Sequence, residues 1–81
     1  MQKLPTIDGQ ELLKFLSSLG FVVVRTRGSH LQLRAEDGRS TTIPLHAKRE
    51  VPKGLLRKII RDDLEMSLEE FLDLFSEYRG R

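Results

Sequence analysis

The chain has 81 residues, of which 38% are hydrophobic and 32% charged, and its formal net charge is +2. That length allows one domain with a thin stability margin, because a chain of this size buries only about 60% of its unfolded surface. The absence of cysteine excludes disulfides and zinc–thiolate sites, and no apolar stretch approaches the ~20 residues of a membrane span.

The amino-terminal run Met1-Gln2-Lys3-Leu4-Pro5-Thr6 lacks the apolar segment of a secretory signal, so the expectation is a cytoplasmic protein without membrane contact. Charge is unevenly spread. Up to Arg61 there are twelve Lys and Arg against five Asp and Glu, a net +7, and from Asp62 onward two against seven, a net −5. A basic body with an acidic tail points to nucleic acid or to a charged protein partner, with two ordinary solvated surfaces as the plainer reading.

Asp8 is placed to cap a first helix, with Glu11 completing a capping-box pattern, and Leu12, Phe15, Leu16 and Leu19 recur along one helical face. Gly20 is the stop. Phe21-Val22-Val23-Val24-Arg25 is short and β-branched, and reads as a central, largely buried strand. After a turn at Gly28, a second strand alternates: Leu31, Leu33 and Ala35 face one way, His30, Gln32 and Arg34 the other. Asp37-Gly38 marks a hairpin turn, because Gly tolerates positive φ. A third strand runs over 40–45, and Pro44, which cannot donate to a ladder, means that it lies at a sheet edge or ends there.

Pro52 fits the first turn of a second helix, whose apolar positions are Leu55, Leu56, Ile59 and Ile60. Ser67 and Glu70 form a capping box for a last helix, with Met66 set to staple onto Phe71. Leu68, Phe71, Leu72, Phe75 and Tyr78 form its apolar stripe, read as docking on this domain in preference to a partner. The order helix, three strands, helix, helix defines an α+β class with a three-stranded antiparallel meander.

One ordered set of residues carries a family resemblance. Gly20-Phe21, Gly28-Ser29-His30, Asp37-Gly38-Arg39, Thr42-Ile43-Pro44-Leu45-His46, Lys48-Arg49-Glu50-Val51 and Gly54-Leu55-Leu56-Arg57-Lys58-Ile59-Ile60 together resemble the HicA (YcfA-like) toxins. The resemblance runs from about Asp8 to Asp62. It divides the chain into a HicA-like unit over 1–62 and an acidic amphipathic helical extension over 63–81. Leu33 stands where family members often carry an aromatic residue.

The resemblance implies a double-stranded-RNA-binding-domain-like fold, α-β-β-β-α, used as a messenger-RNA endoribonuclease that needs no metal or other cofactor. It also implies that His30 is the catalytic residue and that a HicB-type antitoxin covers it. Metal-free RNA cleavage uses the substrate's 2′-hydroxyl as nucleophile, so a base must take its proton while cations stabilise charge on phosphorus. An imidazole suits that task, and general-base help is worth about 10²–10⁴-fold.

His30 is therefore the candidate base. Gly28 permits close backbone approach to phosphate, and Ser29 is placed to orient the ring or donate to a phosphate oxygen. Lys48, Arg49, Lys53, Arg57 and Lys58 gather before and within the second helix as the candidate phosphate track, extended by Arg27 and Arg25 at the turn. His46 reads as a surface or capping histidine, with general acid as the alternative. Few exposed aromatics are available to stack bases. Two other functions compete with the nuclease: a non-catalytic RNA-binding module of the same fold, and a protein-interaction subunit working through the last helix.

Overall fold

The computed structural model describes residues 3–46 and 49–80. Helix α1 (Gly9–Ser18) leads into strands β1 (Val22–Arg27), β2 (His30–Arg34) and β3 (Ser40–Pro44). Helix α2 (Lys53–Lys58) then continues directly into a π-helical stretch, Ile59–Asp63, and helix α3 (Leu68–Arg79) follows. The strands pair antiparallel in the order β1-β2-β3, so this is an α+β fold with an open three-stranded meander. Among the described residues no helix is long and apolar enough to cross a membrane.

Local chemistry sets each boundary. Asp8 Oδ1 accepts the Glu11 backbone N–H at 2.7 Å and starts α1. Gly20, at φ +99°, turns the chain out of the helix. The β2–β3 loop is longer than a two-residue turn. Gly38 N–H donates to the Ala35 carbonyl at 3.0 Å and Ala35 N–H to the Arg39 carbonyl at 2.8 Å, and only Gly38 takes positive φ. Arg39 then ties this loop to the far side of the domain. Its Nη1 donates to the Leu64 carbonyl at 2.8 Å and its guanidinium lies 5.4 Å from the Phe21 ring centre. The Arg39 backbone N–H, and secondly its guanidinium, hold the Asp37 carboxyl below its usual range.

Leu31, Leu33, Ala35, Thr41 and Ile43 point from the sheet into the core, where they meet Leu12, Phe15 and Leu16 of α1 and Leu56, Ile59 and Ile60. Among the described residues Thr41 is the one buried polar side chain, and its hydroxyl donates to Asp63 Oδ2 at 2.8 Å, which satisfies it. That bond pins the end of the π stretch to β3.

The expectation of a central, buried first strand is corrected. β1 is an edge strand, and Val22, Val23 and Val24 are 60%, 45% and 47% exposed. An unbroken apolar run normally signals a strand covered on both faces. Here α1 and the π stretch pack against β3, while the extensive contacts of β1 are with β2 alone. A register shift between Val23 and Arg25 further twists this edge.

The last helix is part of the same core. Phe15 of α1 meets Phe71 and Phe75 edge-on, with ring centres 5.4 and 5.0 Å away, and Tyr78 at 5.3 Å. Glu11 does not close the expected capping box with its side chain. It accepts two hydrogen bonds from Arg79, each 3.0 Å, and so clamps the end of α3 to the start of α1. Arg79 also lies 4.5 Å from the Phe75 ring centre.

Gly9 allows α1 to approach the end of β3 closely. A Cβ there would overlap the Pro44 carbonyl oxygen and sit 3.3 Å from Leu45 Cα. Both obstacles are backbone, so Gly9→Ala forces α1 away from the end of β3. The expected loss is about 1–3 kcal/mol, read as a lower midpoint in urea unfolding. An unchanged midpoint refutes the close packing.

Candidate functional site

His30 owes its position to the tight turn that precedes it. Gly28 takes φ +60° and Ser29 a negative φ, the pattern of a two-residue hairpin with Gly first. The turn is pinned from its other side, because the Ser29 carbonyl accepts the Leu45 N–H at 2.6 Å. His30 thus begins the central strand, between Arg27 of β1 and Pro44 of β3 in the same rung. The next rung on this outer face is Arg25, Gln32 and Thr42. Strand alternation turns these side chains away from the core, and His30 is exposed. Its ring makes no hydrogen bond or ion pair with any described residue.

Two recesses meet at His30. The smaller, about 160 Å³, is lined by Arg25, Arg27, His30, Gln32 and Thr42. The larger, about 460 Å³, is lined by His30 and Thr42 together with Pro44, Leu55, Lys58 and Asp63. His30 and Thr42 therefore form the ridge between a strongly cationic hollow and a mixed one. Arg25, Arg27 and Lys58 make no ion pair among the described residues, whereas Arg39, Arg61 and Arg79 are each engaged by a carboxylate. Unneutralised cations flank the imidazole on both sides.

The candidate phosphate track is only partly gathered here. Arg27 and Lys58 line recesses that His30 also lines. Gly28 and Ser29 form the turn beneath the ring but line neither. Arg49 and His46 line a neighbouring hollow that shares Pro44 and Leu55 with the larger recess. Arg57 lies elsewhere, beside Arg61 and Met66. Lys53, in the first turn of α2, lines none of these hollows, and Lys48 lies outside the described residues.

Sequence reasoning missed Thr42 and Asp63. Thr42 was open to detection, because in a strand with Thr41 and Ile43 inward it must point outward. Asp63 had no such signal. Its place depends on the helix widening to π geometry over Ile59–Asp63 and on the hydrogen bond from Thr41, twenty-two residues earlier in the chain.

No curated protein matches the chain. A match does come from the family described as the HicA toxin of bacterial toxin–antitoxin systems, over residues 9–63. That span begins with α1, takes in the whole meander and the Gly28-Ser29-His30 turn, and ends at Asp63 on the larger recess. It covers well over half of the sequence and every element that builds the two recesses, so the chain belongs to the HicA family and is the toxin of a toxin–antitoxin pair.

Proposed function

We propose that this toxin is an endoribonuclease acting on messenger RNA, with His30 as general base, and that a HicB-type antitoxin silences it by covering the ridge. The observation that carries this reading is the position of His30, exposed, with its ring bonded to no described residue, and shared by two recesses with cations in each. An RNA strand laid across the ridge presents its phosphates to Arg25 and Arg27 on one side and to Lys58 on the other.

His30 takes the proton of the 2′-hydroxyl, whose oxygen attacks the adjacent phosphorus. The bond from phosphorus to the 5′ oxygen breaks as a 2′,3′-cyclic phosphate forms, and the departing oxygen leaves as a hydroxyl with a solvent proton. Arg27, the cross-strand neighbour of His30, and Lys58 are the nearest candidates to stabilise the extra negative charge on phosphorus. His46 shares no recess with His30, which supports its reading as a surface residue.

The test is product chemistry. Purified protein incubated with unstructured RNA and excess chelator is expected to release fragments ending in 2′,3′-cyclic phosphate and 5′-hydroxyl. Tight RNA binding with no fragments identifies a non-catalytic RNA-binding module, and 5′-phosphate ends rule out attack by the 2′-hydroxyl. The third possibility, a partner-docking last helix, is disfavoured by the burial of Phe71 and Phe75 inside the domain.

A further inference from the structure

The larger recess differs from the smaller in ways that matter for what each holds. At about 160 Å³ and with two arginines that pair with no described carboxylate, the smaller suits a phosphate. The larger, at about 460 Å³, falls within the ~300–1,000 Å³ of small-ligand pockets. Its walls also include a carboxylate, Asp63, which repels a phosphate.

We infer that the larger recess is a base pocket selective for guanine in the nucleotide beside the scissile bond; this rests on the proposed handling of RNA at His30. Asp63 is held rigidly, because the buried Thr41 hydroxyl donates to Oδ2 at 2.8 Å. A carboxylate has about four acceptor positions, so this bond leaves both oxygens able to accept more. Asp63 makes no ion pair with Lys58 or any other described cation, so among the described residues its remaining capacity is not consumed.

Adjacent acceptors on one carboxylate match two adjacent donors on a base. Guanine alone among the four RNA bases offers them, as N1–H and the N2 amino group on its Watson–Crick edge. Adenine and cytosine place a bare ring nitrogen beside their amino group, which a carboxylate repels. Uracil flanks its single N–H with two carbonyls. Pro44 and Leu55 add apolar surface against which a flat base rests, in place of an aromatic platform. Lys58 in the same recess is set to donate to the O6 carbonyl or the flanking phosphate.

The experiment measures binding of fluorescent 2′-O-methyl oligouridylates, which cannot be cleaved through the 2′ oxygen, each carrying one guanine, hypoxanthine or adenine. Hypoxanthine differs from guanine only in lacking the N2 amino group. The wild-type protein is expected to bind the guanine probe on the order of tenfold more tightly than either other probe, within the range of a bidentate base contact. Asp63→Asn keeps an oxygen for the Thr41 hydroxyl but replaces one acceptor with a donor, and is expected to bring the three affinities within about twofold.

Equal binding of guanine and hypoxanthine by the wild-type protein overturns the proposal without recourse to any variant. So does discrimination that survives in Asp63→Asn. Guanine selectivity in a protein that cuts no RNA sustains the pocket and removes the nuclease. Cleavage with no base discrimination does the reverse.

Discussion

His30→Ala is expected to slow RNA cleavage by about 10²–10⁴-fold, the contribution of a positioned general base. Unfolding free energy is expected to stay within about 0.5 kcal/mol of wild type, because the side chain is exposed and bonds to no described residue. Affinity for uncleavable RNA is expected to change little. On the proposed reading binding rests on Arg25, Arg27 and Lys58, which the substitution leaves in place on either side of the ridge. Initial rates on a labelled RNA, with urea unfolding and binding isotherms on the same preparation, separate the three quantities. Cleavage at the wild-type rate removes His30 from the chemistry. Loss of rate together with loss of fold assigns it to packing instead.

The second large effect concerns stability. Phe15→Ala is expected to cost about 3–5 kcal/mol, set against a total of about 5–15 kcal/mol for a domain. Phe15 is fully buried and is the ring on which three aromatic residues of α3 converge, so its removal leaves a cavity and strips each of them of a packing partner. The loss falls on the junction of α1 and α3, elements from opposite ends of the sequence, which the Glu11–Arg79 pair also bridges. Removing residues 67–81 is expected to do more, exposing Phe15 and leaving the chain unfolded by circular dichroism. A truncated chain that stays folded with an unchanged urea midpoint makes the helix an appendage after all. A loss below about 1 kcal/mol for Phe15→Ala carries the same message.

Both results bear on how the helix after Asp62 is understood. Its acidic residues lie outward while its apolar stripe completes the core, so charge and packing divide between its two faces. The negative tail and the basic body are thus surfaces of one folded unit. The clamp at Arg79 is partly exposed, and such a pair contributes little by itself. The buried rings hold the helix, and the ion pair fixes where it ends.

Much of the architecture was readable one segment at a time. Asp8 and Ser67 cap the helices they were expected to cap, and Leu31, Leu33 and Ala35 turn inward while His30 turns outward. These features rest on the 3.6- and two-residue periods and on a side chain reaching a backbone N–H three residues away, all of which are local. The valine run was misread because burial of a strand depends on what covers it. That is a property of where the helices fall, and they fall over β3.

The site divides in the same way. An imidazole at a Gly-Ser turn, followed by alternating polar residues, is determined by the sequence itself, since the turn residues and the strand period dictate where the ring points. Which cations stand near it was decided only when the chain folded. Lys58 reaches the recess while Arg57, its neighbour in sequence, is carried to another hollow, because successive helical residues point about 100° apart. Asp63 joins them through a π stretch and a hydrogen bond to a strand formed much earlier in the chain. Long-range packing has no period to read, and so the wall of the pocket opposite the histidine belongs to the tertiary structure alone.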